Sequence, residues 1–200
     1  RSQIFDTFWP NLTAREATNV FHVTKRKISE VLGVDLTVYW SGFYHISSDI
    51  QLNYDAVLFS EMITDSAVVP IEQAIPLFSS AISLYQGKFL TSMDMPWVHK
   101  RRDELALSYG EVLASLAKAW EQRGEKEKAL GLYVRASSTN RQREDIARSI
   151  MSLYSEMGML ADAEATYERL AEELDQTLNV PPSKETQELI SRIRNATTSV

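Results

Sequence analysis

The 200-residue chain contains no cysteine. That excludes disulfides, thiolate nucleophiles and cysteine metal ligands. Histidine is scarce as well: the three present, His22, His45 and His99, have no metal-ligand spacing, and no His-Glu-x-x-His run occurs. The seven glycines are scattered, so no glycine-rich loop can cradle a phosphate. No serine stands in a nucleophile elbow. Carboxylate neighbours such as Glu172-Glu173 fall on the polar face of a helical pattern, where solvated pairs are ordinary. No apolar run approaches the ~18–20 residues that span a bilayer. These absences exclude the common routes to catalysis. No enzyme, catalytic residue, metal, cofactor or membrane association is expected, and a cytoplasmic location suits a cysteine-free chain. The chain begins at Arg1 rather than Met, and is expected to be a piece of a longer protein.

What is present begins with charge. The formal net charge is -6. Residues 1–48 carry +1, from Arg1, Arg15, Lys25, Arg26 and Lys27 against Asp6, Glu16, Glu30 and Asp35, which leaves -7 on the remainder. An acidic surface repels nucleic acid, whereas the first segment permits it. With 44% hydrophobic residues, the chain can bury a sizeable core in one large or two small domains.

The clearest pattern is a repeat. Trp120-Glu121-Gln122-Arg123-Gly124 lies over Tyr154-Ser155-Glu156-Met157-Gly158 at a shift of 34 residues. At the same shift Leu116 falls on Ile150, Ala117 on Met151, Ala129 on Ala163 and Tyr133 on Tyr167. A period near ~34 with a large residue, a turn glycine, a small residue and then an aromatic is the tetratricopeptide signature. Each helix pair has an apolar face it cannot bury alone, so neighbouring pairs stack. The small Ala129 and Ala163 stand where helices must approach closely.

The first forty-eight residues follow another plan. Ile4, Phe5, Phe8 and Trp9 form an apolar stripe on a short helix that Pro10-Asn11 stops. Thr13 and Glu16 form a capping box for a helix that runs to Leu32 and ends at Gly33. One stripe of it, Ala17, Val20, Phe21, Thr24, Ile28, Val31 and Leu32, suits a core. The other face carries Arg15, Asn19, His22, Lys25, Arg26 and Ser29. Asp35 to Trp40 and Phe43 to Ile46 then alternate at period two around a Ser41-Gly42 turn, a β-hairpin.

The rest reads as helices. They are placed at Tyr54 to Ile63, Ile71 to Tyr85, Trp97 to Arg123, Glu125 to Ser138, Arg141 to Met157, Leu160 to Leu178 and Ser183 to about Asn195. Asn179 suits a left-handed cap, and Leu189, Ile190 and Ile193 are placed to seal the end of the stack.

Two resemblances follow from these residues. Ser2 to Ser47 resembles the C-terminal two-thirds of an OmpR-type winged-helix DNA-binding domain. The match rests on Trp9-Pro10, on Asn19 to Ile28 as recognition helix and on Gly42-Phe43-Tyr44 as wing turn. The N-terminal sheet and first helix of such a domain have no counterpart in this chain. The remainder resembles the bacterial transcriptional activator domain of Streptomyces antibiotic regulatory proteins. Three stretches carry it: Gly87 to Trp97-Val98 and Arg101 or Arg102, Ile150 to Tyr167, and Leu174 through Val180-Pro181-Pro182-Ser183 to Glu185-Thr186 and Leu189. Asn179 departs from the glycine the family favours, and Ser137 to Asn140 from its frequent Asp-Pro.

The resemblances imply a mainly α fold, a TPR-like α–α superhelix over residues 49–200 preceded by a partial winged helix over residues 1–48. They imply a DNA-binding transcription activator. The recognition helix would enter the major groove of double-stranded DNA while the wing touches the adjacent minor groove. The helical domain would serve contacts to RNA polymerase or another regulatory protein and form a homodimer. Asn can pair with adenine, Arg or Lys with guanine. Asn19, His22, Val23, Arg26 and Lys27 are therefore expected in the groove, with Lys25 nearer phosphate. The alternative is an interaction scaffold whose repeats hold a peptide or protein and whose basic helix face is merely solvated.

Overall fold

The computed structural model describes residues 2–198, with side chains for 2–195, and divides after Asn53 into two compact units. Arg1, counted above with the first helix and the basic residues, lies outside the described residues. Among them no helix is long and apolar enough to cross a membrane.

Unit 1 contains α1 (Ser2–Phe8), α2 (Ala14–Leu32), β1 (Thr37–Trp40) and β2 (Phe43–Ile46). Thr13 caps α2 as its spacing predicts: Thr13 N–H donates to Glu16 Oε2 at 3.0 Å and Glu16 N–H to Thr13 Oγ1 at 3.4 Å. Gly33 ends the helix in the left-handed region at φ 72°. The strands pair antiparallel, with Trp40 opposite Phe43 and Tyr39 opposite Tyr44. Ser41 and Gly42 both take positive φ, 52° and 86°, which matches the twist of a two-residue hairpin.

The core stripe expected on α2 needs correction. Of its seven residues only Ala17 is buried, whereas Val31 is 84% exposed, and Val20, Thr24, Ile28 and Leu32 also reach solvent. The reason is size. One short helix and a two-stranded hairpin are too little material to cover every side of a 19-residue helix. What closes the unit is a set of rings: Phe5 to Phe21 at 5.9 Å, Phe21 to Tyr44 at 4.7 Å and Tyr39 to Tyr44 at 4.8 Å.

Unit 2 is a run of helices: α3 (Asp55–Ser66), α4 (Ile71–Leu84), α5 (Pro96–Gln122), α6 (Lys126–Ser137), α7 (Glu144–Glu156), α8 (Leu160–Leu178) and α9 (Lys184–Thr198). The repeat is visible atom by atom. Gly124 and Gly158 turn at φ 77° and 75°. The backbone bond Glu125 N–H to Trp120 O recurs 34 residues on as Met159 N–H to Tyr154 O, at 3.0 and 2.8 Å. Ala129 and Ala163 are fully buried, as close helix packing requires. Leu113, Met151 and Leu153 fill the layers between helices, each contributing about 1.5–3 kcal/mol. A second core joins Phe59, Ile75 and Phe78 to Leu105, Val112 and Leu116 of α5.

Among the boundaries that differ from the sequence reading, two have a cause visible in the hydrogen bonds. Helix α3 continues past Ile63 to Ser66, because the Thr64 and Ser66 hydroxyls bond back to Ser60 O and Ile63 O at 3.0 and 2.7 Å. Helix α7 starts at Glu144 rather than Arg141, because the Asn140 side chain accepts from Gln142 N–H at 3.1 Å and holds a turn.

Candidate nucleic-acid interface

Helix α2 presents Asn19, His22, Val23, Arg26 and Lys27 at spacings of three, one, three and one, and all five are exposed. Such spacing lays them along one strip of the helix. Arg26 makes an exposed pair with Glu30 at 3.3 Å, a contact of little energy that a phosphate or base edge can replace. Lys25 lies apart. It is half-buried, its ammonium 5.7 Å from the centre of the Tyr44 ring, so it ties the hairpin to the helix. The capping box orders the first turn of the strip. The Glu16 carboxyl is held below its ordinary range by the Thr13 hydroxyl and then the Thr13 backbone N–H.

The hairpin contributes differently. Between Leu36 and Ser48 there is no Lys, Arg, Asp or Glu. Trp40 and Phe43, at its tip, are 72% and 64% exposed. An apolar groove of about 240 Å³ lies between α1, α2 and β1, lined by Ile4, Phe8, Trp9, Phe21, Ile28 and Leu36.

Unit 2 carries an open groove of its own. A groove of about 480 Å³ runs between α6, α7 and α8, with Val134, Ile150 and Leu170 on its floor and Arg141, Arg169 and Glu173 along it. Elsewhere in the unit a clasp ties the start of α9 to α7. Glu144 Oε2 accepts from Ser183 N–H at 2.9 Å, Ser183 Oγ at 2.6 Å and Thr186 Oγ1 at 2.6 Å. Arg148 donates to Thr186 Oγ1 at 2.9 Å and pairs with Glu185 at 3.2 Å. Burial pushes the Glu144 carboxyl up, but the Ser183 and Thr186 hydrogen bonds together pull it below the usual range. Tyr133, in the first repeat, donates to Glu121 at 2.8 Å, and burial followed by that bond pushes it up to about 12.

Sequence reasoning found Ser183, Glu185 and Thr186 by family pattern but missed Glu144 and Arg148, which hold them. The family resemblance marks Arg101 and Arg102 without giving either a role. Arg102 donates to Phe89 O, Leu90 O and Met93 O at 2.7, 2.7 and 3.2 Å, riveting the 87–95 loop to α5. Arg101 donates to Ser60 Oγ at 3.1 Å and so joins α5 to α3. The only sequence signal for these partners was an arginine pair in the first turns of a long helix.

The fold and the site define a helical-repeat protein carrying an exposed basic helix and a hairpin ahead of its repeats. Residues 57–194 match the bacterial transcriptional activator domain, and the chain belongs to that family. No curated protein matches the chain in sequence comparison. Among solved structures, it is similar to Mycobacterium tuberculosis EmbR in complex with a low-affinity phosphopeptide, with a TM-score of 0.71 and 17% identity. That alignment covers 96% of this chain and 53% of EmbR, so this chain spans about half the length of that one. It is also similar to the C-terminal TPR-containing domain of a Plasmodium falciparum FK506-binding protein, with a TM-score of 0.53 and 11% identity, covering 72% of this chain and 91% of that one. At these identities the likeness concerns the fold. It is a TPR-like helical array led by a helix, a longer helix and a hairpin.

Proposed function

We propose that the chain is the working part of a DNA-binding transcription activator of the cytoplasm. Residues 1–48 serve as the C-terminal part of a winged helix and residues 49–200 as the activator domain. Asn19, His22, Val23, Arg26 and Lys27 read the major groove of double-stranded DNA. The helical unit meets RNA polymerase or another regulatory protein and can pair with its own copy.

The observation that carries this reading is the exposed strip on α2: an amide, an imidazole, a valine and two cations along a helix long enough to lie in a groove. Family membership supports the same reading from the other end of the chain. Lys25 belongs in it as a positioning residue beside Tyr44 rather than a free phosphate contact.

The test is the affinity of the full-length protein for a duplex it selects from a random-sequence pool, measured against salt. Arg26→Ala with Lys27→Ala should weaken binding by about 1–3 kcal/mol per lost base contact, relax sequence preference at the positions they read and flatten the salt slope. Asn19→Ala should instead relax sequence preference at one position, at about 1–3 kcal/mol. Binding by the double variant equal to wild type would remove the assignment and favour the scaffold reading.

A further inference from the structure

The start of α3, the end of α4 and the loop after it surround an open pocket of about 340 Å³ within unit 2. That volume suits a small molecule, whose sites run from ~300 to ~1,000 Å³. Rings make much of the wall. Phe59, buried in α3, meets Tyr85 at 6.0 Å, and Tyr54 meets Phe89 at 6.4 Å. Neighbours outside the pocket fix two of these rings: Tyr109 stacks on Tyr85 at 4.1 Å, and Trp97 meets Phe89 edge-on at 6.5 Å. The loop wall is set in advance as well. Arg102 holds Phe89 O and Leu90 O at 2.7 Å each, and Leu90 stays at φ 43°. A left-handed leucine survives only where its surroundings impose it, and such strain gathers at ligand clamps.

Two phenol hydroxyls complete the lining. Among the described residues neither Tyr54 Oη nor Tyr85 Oη has a hydrogen-bond partner. Burial pushes the Tyr85 hydroxyl above its ordinary 10.0, so at neutral pH it keeps a proton to donate. Charge decides the class of guest. The lining holds one acid, Asp55, and one base, Lys88, which balance. The Asp55 carboxylate already accepts from Ala56 N–H at 2.7 Å, and Arg101 stands near enough to Tyr54 to oppose a cation.

We propose that this pocket binds a small, flat, uncharged aromatic molecule, its rings against Tyr54, Tyr85 and Phe89 and its polar atom on the Tyr85 hydroxyl. The site lies within unit 2 and is independent of whether α2 reads DNA.

The probe is 2-naphthol, two fused rings with one hydroxyl, titrated into full-length protein by isothermal titration calorimetry. One molecule should bind per chain with a Kd of about 0.1–1 mM, as suits a fragment of about eleven heavy atoms. Tyr85→Phe keeps the ring and removes the hydroxyl, and should weaken binding by about two- to tenfold. Tyr54→Ala removes a wall and should weaken it by about fivefold, whereas Tyr54→Phe should restore it. Circular dichroism checks the fold of each variant, which an exposed Tyr54 and a retained ring at position 85 permit. Wild-type affinity in both Tyr85→Phe and Tyr54→Ala overturns the site. Loss of binding in folded Phe8→Ala or Trp40→Ala overturns it too, because the probe then sits on the apolar surface of unit 1. A wild-type protein that takes up no 2-naphthol in a saturable way overturns it whatever the DNA measurements give.

Discussion

Removing the Glu144 carboxylate should loosen the end of the helical stack. In the native chain one oxygen, Oε2, accepts three hydrogen bonds: from Ser183 N–H, Ser183 Oγ and Thr186 Oγ1 at 2.9, 2.6 and 2.6 Å. Hydrogen bonds to a charged acceptor contribute about 1.5–3 kcal/mol each. The three share one atom, and the Thr186 hydroxyl keeps Arg148 as a partner, so they do not sum. Glu144→Ala should therefore cost about 2–4 kcal/mol, or roughly 6–12 °C in Tm for a loss near 3 kcal/mol in a domain of this size. Glu144→Gln keeps an acceptor and drops the charge, so it should fall between. The sign with pH is set by the carboxyl, which lies below its ordinary 4.5 when folded. Its contribution is present above that value and is lost as pH falls through the folded one. The gap between wild type and Glu144→Ala should be full at neutral pH and shrink below about pH 4.5. Thermal melts by circular dichroism across pH measure it, and amide exchange of α9 locates it. A loss under about 1 kcal/mol at neutral pH, or a gap that stays constant into acid, would refute the clasp.

Gly110→Ala should destabilise although alanine favours helices by about 1 kcal/mol, because an added Cβ would stand 2.3 Å from Thr139 Oγ1 and 3.3 Å from Thr139 Cβ. Thr139→Ala in the same chain should recover part of the loss in urea melts, and independent costs for the two changes would count against that contact. Arg102→Ala frees three loop carbonyls and should raise protease cleavage within 87–95 severalfold while the rest of unit 2 stays folded. Gly42→Ala meets open space, so its cost is the left-handed backbone at φ 86°, about 1–2 kcal/mol, seen as weaker cross-strand contacts by NMR.

Local signals carried most of the fold. The capping box at Thr13 and Glu16, the left-handed stops at Gly33 and Asn179, and the 34-residue echo of Gly124 in Gly158 each involve residues a turn or a repeat apart. Their geometry follows from chemistry that neighbours impose. The Glu144 clasp joins residues about forty positions apart, and no local pattern marks which carboxylate meets the end of α9. The candidate site was legible to the same degree. Spacing alone puts Asn19, His22, Val23, Arg26 and Lys27 on one side of α2. Spacing could not say whether the opposite stripe is covered, because burial depends on the volume of what surrounds a helix. Charge alone places Lys25 near phosphate; its ammonium also stands over the Tyr44 ring, a tertiary contact with the hairpin that no local pattern marks.

The two units should differ in stability, and amide exchange tests the difference directly. In α2 only Ala17 is buried, and ring contacts through Phe21 hold the helix to its neighbours. Helix α5 buries Val98, Leu105, Val112, Leu113, Leu116, Ala117 and Ala119. Burial of a large apolar side chain contributes about 1.5–3 kcal/mol, so the opening free energy of α5 should exceed that of α2 by several kcal/mol. Amides of residues 18–32 in this chain should therefore exchange orders of magnitude faster than those of 110–120. If α2 reads DNA as proposed, binding adds RT ln(1 + [L]/Kd) to whatever holds it, about 2.7 kcal/mol at a hundredfold excess over Kd. The selected duplex should slow exchange across α2 by about a hundredfold while leaving α5 unchanged. Equal protection in α2 and α5 without DNA would contradict the burial argument. Slowing in α5 rather than α2 would place the nucleic acid on the wrong unit.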